Sequence, residues 1–203
     1  MTMITSEQDL LALYGEPPEA SIVKEVDHVH PIYRPFIEAA PFCVLATSGP
    51  GGLDASPRGD GPGFVVVEDA HTLLIPDRRG NNRVDSLRNV IADPRVALLF
   101  LIPGIGETLR VNGRASLSVD PDLKARFAVD GKEPRSILVV TVERVYFQCS
   151  RAVVRAELWN PATQLDRSAL PSAGKILAAV SEARVGGEDY DRGLAERVKA
   201  TLY

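Results

Sequence analysis

The chain has 203 residues, of which 45% are hydrophobic and 25% charged, with a formal net charge of −4; that is enough apolar material for one core and one domain overall. A slightly acidic balance excludes wholesale affinity for nucleic acid, which needs a basic face, and no stretch approaches the apolar run of a membrane helix. Two cysteines, Cys43 and Cys149, build neither a disulfide framework nor a zinc site alone, and Met1 to Asp9 lacks a signal-peptide pattern, so a reducing cytoplasm is the expected compartment.

Residues 1–40 read as an N-terminal helical segment. Glu7 to Leu13 is predicted as a short helix that stops before Gly15, Pro17 and Pro18. His30-Pro31 opens a second helix, Ile32 to Ala40, stopped by Pro41. His28 and His30 alternate with Val29, but no carboxylate or cysteine completes a ligand set at known spacing. They are read as surface or capping histidines, and no metal is expected.

From Phe42 the texture changes to strands. Phe42 to Ser48 is a short apolar run ended by Gly49-Pro50-Gly51-Gly52. Leu53 to Asp60 is polar and interrupted by Pro57, which suits a sheet edge or a ligand-facing position. Gly63 to Glu68 and His71 to Ile75 form a hairpin around Asp69-Ala70, and links this short force antiparallel pairing. Beyond Asp93-Pro94, Arg95 to Ile102 is nearly unbroken apolar and belongs in the core. Glu107 to Ser118 follows, with a bulge or bend at Asn112-Gly113. Asp120-Pro121 starts a helix to about Ala128, and Ser136 to Cys149 is dense in strand formers. Ser150 is expected to cap a helix from Arg151 to Leu158. Residues 162–203 form a polar helical extension, with Ser172 capping Ala173 to Ala183 and a last helix from Asp189 to Leu202. The sum is a mainly β fold with helical flanks, in which six or seven antiparallel strands make a small barrel over residues 41–161.

The stretch Leu74 to Arg83 carries the chemistry. Its apolar strand ends at Pro76, and a loop with Gly80, Asn81, Asn82 and three arginines follows. Asn82 is expected to cap a helix whose apolar positions Val84, Leu87, Val90 and Ile91 share one face. A strand, a glycine-bearing loop and a helix N-terminus favour an anion, because free N–H groups and the helix dipole point outward there. Arginine adds a planar fork that matches phosphate. Residues 56–95 hold six arginines and six acids, so only specific arginines matter. Arg58 and Arg83 come from separate elements that a barrel can bring together. Arg78, Arg79 and Arg88 are open to two readings, as phosphate donors or as solvated partners of Asp77 and Asp85.

Four segments in this order resemble the pyridoxamine-phosphate-oxidase-type flavoproteins, whose fold is the Greek-key, FMN-binding split barrel. They are Ser56-Pro57-Arg58-Gly59-Asp60; Asp77 to Arg83 with Asn89 to Phe100 behind it; Arg110 to Ala115; and Gln148 to Ala152 with Leu158-Trp159. The resemblance covers roughly Pro41 to Pro161. It implies a homodimer with FMN at the subunit interface, held by Ser56, Arg58, Asp77, Arg78, Asn81, Asn82, Arg83 and Thr108. Thr108 stands where the oxidases proper carry a glutamine near the ring. The implied activity is that of an FMN-dependent oxidoreductase acting on NAD(P)H or another small molecule; no dedicated catalytic acid or base is visible. Two alternatives stay open: a flavin-binding module without turnover, and the same barrel holding a deazaflavin. No histidine follows His71, whereas pyridoxamine-phosphate oxidases end in an arginine-histidine segment, which speaks against pyridoxal-phosphate synthesis.

Overall fold

The computed structural model describes residues 2–203. Seven strands, β1 (Phe42–Gly49), β2 (Gly52–Gly59), β3 (Val66–Asp69), β4 (Thr72–Pro76), β5 (Arg95–Leu101), β6 (Thr108–Ser118) and β7 (Ile137–Gln148), pair into one antiparallel sheet of order β2-β1-β5-β6-β7-β4-β3. The β5–β6–β7 meander lies between the β1–β2 and β3–β4 hairpins. The sheet curls until Cys43 and Leu45 of β1 share one core with Val67 and Leu73 of β3 and β4. β2 and β3 are the two free edges, so the barrel is split between them. The fold is mainly β with helical flanks, as the strand spacing implies.

The bend expected in β6 is a bulge between Asn112 and Gly113. A Cβ on Gly113 would lie 2.1 Å from the Thr141 carbonyl oxygen, so only glycine lets β7 approach this closely. The hairpin strand β3 begins at Val66, three residues later than the apolar pattern suggested.

Three helices precede the barrel: α1 (Glu7–Tyr14), α2 (Glu19–Ile22) and α3 (Arg34–Ala39). α1 is capped by Ser6 and buries nothing. α3 starts two residues later than expected and has no side-chain cap; in the turn ahead of it the Ile32 N–H donates to His30 Nδ1 at 3.2 Å. The segment before α3 is part of the barrel. Val26 and Val145 exchange backbone bonds of 3.0 and 2.8 Å, the Val29 N–H donates to the Ala70 carbonyl at 2.7 Å, and Val29, Tyr33 and Ile37 are buried in the main core.

The helix after the polar loop, α4 (Asp85–Ala92), corrects two expectations. Asn82 is not its cap: the capping position is Val84, at φ +53°, and Asn82 itself sits at φ +61°. The predicted apolar face is buried only in part, at Val90. α4 buries Ser86, Asn89 and Val90 and leaves Ile91 78% exposed. The reason is polar docking: Ser86 Oγ donates to Asp54 Oδ2 at 2.5 Å, and Asn89 Nδ2 donates to Thr47 Oγ1 at 3.1 Å. Gly49 makes room, since a Cβ there would stand 2.3 Å from Asn89 Oδ1.

The remaining α-helices are α5 (Pro121–Ala125), α6 (Arg151–Arg155), α7 (Ala173–Val180), α8 (Glu188–Arg192) and α9 (Leu194–Ala200), with short 3-10 turns at Pro161–Thr163 and Arg167–Ala169. Asp120 caps α5 and Ser172 caps α7, as their sequence positions suggested. Ser150 makes no side-chain cap, because it already has helical dihedrals. The single last helix is in fact two, broken at Gly193, whose backbone entropy makes it a weak helix former. Among the described residues no helix is long and apolar enough to cross a membrane.

Candidate functional site

The period-two alternation of a strand turns Asp54, Ser56 and Arg58 of β2 to one side. Across the ladder they lie opposite Thr47, Leu45 and Cys43 of β1, all buried. Where the inner surface would continue at the sheet edge, β2 therefore presents polar groups. The barrel ends there in a cleft of about 450 Å³ instead of more core. Its other walls are the loop from Asp77 to Val84, the first turn of α4, and Arg135 just before β7.

Ser56, Arg58, Asp77, Arg78, Asn81, Asn82 and Arg83 all line this cleft; Thr108 does not. Thr108 starts β6 opposite Gln148, in another part of the barrel. The lining residues are differently engaged. Arg58 donates only to the neighbouring Pro57 carbonyl, at 2.9 Å. Arg83 is ion-paired with Asp85 in the first turn of α4, and its backbone N–H donates to Asn81 Oδ1 at 3.0 Å. Arg78 is committed inward: Nε donates to Asp60 Oδ2 at 2.9 Å and Nη1 to the Phe127 carbonyl at 2.6 Å. Asn82 Oδ1 accepts from Arg135 Nη1 at 2.9 Å.

Burial pushes the Asp77 carboxyl up from its ordinary value, and Arg58 and Arg135 offset part of that rise. At Asp60 burial also pushes upward, but hydrogen bonds from Tyr203, the Gly61 N–H and Arg78 outweigh it and hold the carboxyl below the ordinary range. Asp54 accepts from both Ser56 and Ser86, at 3.2 and 2.5 Å. Of the cleft's guanidiniums, Arg78 and Arg83 are ion-paired, with Asp60 and Asp85, whereas among the described residues Arg58, Arg79 and Arg135 form no ion pair. The cleft can hold an anion at a defined place and repel one elsewhere.

Sequence reasoning missed Asp54, Ser86 and Arg135. Asp54 stands two residues before Ser56 on the same face of the strand, so period-two alternation was the signal that could have found it. Arg135 has no such signal, because it arrives through strand pairing: Pro76 faces Ile137, and the Asp77 N–H donates to the Ser136 carbonyl at 2.9 Å, which carries the β4–β7 ladder into the loop.

Residues 29–149 match the family model of pyridoxamine 5'-phosphate oxidase. The match starts earlier than the resemblance read from Pro41, in keeping with Val29, Tyr33 and Ile37 being core residues. No curated protein matches the chain. Similar solved structures include HupZ of Group A Streptococcus, at 15% identity and a TM-score of 0.47, covering 57% of this chain and 90% of that one. Another is a Clostridium acetobutylicum protein related to general stress protein 26 of B. subtilis, of the pyridoxinephosphate oxidase family, at 15% identity and 0.43, covering 56% and 83%. A third is an FMN-binding protein from Syntrophomonas wolfei subsp. wolfei, at 12% identity and 0.43, covering 69% and 95%.

Proposed function

The chain belongs to the pyridoxamine 5'-phosphate oxidase family, and from that premise we propose that it binds FMN and works as an FMN-dependent oxidoreductase. The observation that carries this reading is the meeting of Arg58 and Arg83, from separate elements, in one cleft with Asn81. The donor set fits the cofactor. A phosphate monoester carries about −1.5 to −2 charge and offers only acceptors, and two guanidiniums with an amide answer that charge. Each charge-assisted bond contributes roughly 1.5–3 kcal/mol net. The cleft also lies within the range of about 300–1,000 Å³ usual for small-molecule sites.

Arg58 and Arg83 would hold the phosphate, with Arg83 exchanging Asp85 for it, while Ser56 and Asn82 supply neutral polar contacts. Arg78, tied to Asp60, would keep the loop in place. Thr108 would serve the ring end of the cofactor, apart from the phosphate. When bound, FMN supplies the electron chemistry, and the protein's part is to bind, orient and shield it. The polar cleft suits the phosphate and its chain better than the flat ring. Leu53 and Ile91, on β2 and α4, are 89% and 78% exposed, apolar surface that a second copy would cover. We therefore propose a homodimer with the flavin at its interface. Two free thiols, Cys43 and Cys149, suit a cytoplasmic protein.

The visible spectrum of the purified protein tests the reading. A flavin band, or its appearance on adding FMN, is expected; a colourless protein that takes up no FMN rejects it. Anaerobic reduction by NADH or NADPH, followed by reoxidation, would establish turnover, and a flavin that stays oxidised would mark a binding module.

A further inference from the structure

Residues 160–203 are joined to the barrel at few points. Just before them, the Trp159 indole N–H donates to the Ile105 carbonyl at 2.7 Å. None of them belongs to either core cluster, and α7, α8 and α9 together bury only Gly174. Among the described residues, the hydrogen bonds of 160–202 all stay within 157–201. The extension is tied internally, since Asp191 Oδ1 of α8 accepts from the Gly174 N–H of α7 at 2.7 Å.

Tyr203, three residues beyond α9, breaks this pattern. Its hydroxyl donates to Asp60 Oδ1 at 2.7 Å, and the Arg78 guanidinium lies 5.5 Å from its ring centre. Asp60 Oδ1 also accepts from the Gly61 N–H at 2.8 Å, while Oδ2 accepts from Arg78 Nε at 2.9 Å. Both oxygens are thus filled, and the carboxylate is held in one plane. Arg78 in turn reaches the Phe127 carbonyl, so this pair pins the loop whose Asn81 and Arg83 line the cleft. The bond to Asp60 pushes the Tyr203 hydroxyl above its ordinary pKa, the direction expected of a donor to a carboxylate.

We infer that Tyr203 is a positioning residue for the cofactor loop: docked on Asp60 and Arg78, it clasps the helical extension to that loop. Without it Asp60 loses a charge-assisted donor and Arg78 an aromatic face, so the loop's anchor loosens. Docking of the extension and binding of FMN favour the same loop arrangement, and each strengthens the other by the same factor. This rests on the cofactor reading above, since the loop is assigned to the FMN phosphate.

Two measurements on the full chain test the clasp, in the parent, Tyr203→Phe and Tyr203→Ala. Flavin fluorescence gives the FMN affinity, and mass spectrometry follows tryptic release of the residues after Lys199, which is exposed. Saturating FMN should slow that release about fivefold or more in the parent, and Tyr203→Ala should weaken FMN by a similar factor. Tyr203→Phe, which keeps the ring over Arg78, should lose less. A tyrosine with a merely structural role would lower the urea midpoint and move neither readout. Unchanged FMN affinity in Tyr203→Ala, or release that FMN does not slow in the parent, overturns the inference. If the parent takes up no FMN, the cofactor reading fails instead. A double-mutant cycle of Tyr203→Ala with Arg78→Ala in urea then decides the clasp: non-additive midpoints support it, and additive midpoints overturn it.

Discussion

Arg83 and Asp85 are ion-paired at the mouth of the cleft, with Asp85 in the first turn of α4. The guanidinium proposed to hold a phosphate is thus held by an internal carboxylate, and that carboxylate also sits at the helix end that favours anions.

Opposite effects follow for the two partners. Arg83→Ala should weaken FMN binding by about tenfold or more with the fold intact. Asp85→Asn should tighten it by roughly two- to fivefold, since an exposed pair of this kind contributes only about 0.2–1 kcal/mol. Flavin fluorescence quenching measures both, and equal losses in the two variants would count against the competition.

Arg78 should behave differently from its neighbours. Its side chain and that of Asp60 are 18% and 12% exposed, so Arg78→Ala leaves a shielded carboxylate unpaired. A loss of roughly 1–3 kcal/mol in unfolding free energy is expected, read from urea denaturation of the apo-protein. A midpoint unchanged from the parent would show that the pair contributes nothing.

Asp77 predicts a pH dependence. Burial raises its carboxyl above the ordinary 3.8, so the folded protein keeps a proton that the unfolded chain releases. Stability therefore falls as pH rises from about that value through the folded-state pKa, and stays lowered above it. Asp77→Asn removes the effect. The variant should melt higher than the parent at pH 7, and the gap should shrink as the pH falls below 3.8. A gap that is constant with pH would refute the assignment.

The thiols should separate cleanly. Burial pushes Cys43 up to about 12, whereas Cys149 is exposed. At pH 8 a thiol reagent should modify Cys149 rapidly in the folded protein and reach Cys43 only after denaturant is added. Rapid reaction of Cys43 in the native state would mean that β1 opens locally.

Much of this architecture is written in local pattern. Turn residues at Gly49 to Gly52 and Pro103-Gly104, the proline-interrupted polar run of β2, and the apolar run of β5 place the strands, because each depends on neighbours in the chain. Asn112-Gly113 marks its own bulge. What stayed hidden depends on partners distant in sequence. The inward face of α4 is partly polar because Asp54 and Thr47 await Ser86 and Asn89, so Val90 is buried beside them while Ile91 points to water, and the periodicity is only half right. Arg135 reaches the cleft only through the pairing of β4 with β7. Arg78 looks like any other arginine of the loop until Asp60 and Phe127 are beside it.

Pro57 sits in β2, at the free margin of the sheet. Its missing N–H interrupts the row of donors that a strand from another molecule would need for docking, so this margin is a poor template for fibril-like stacking. The protein can therefore leave a strand uncovered for a small ligand without inviting polymerisation along it.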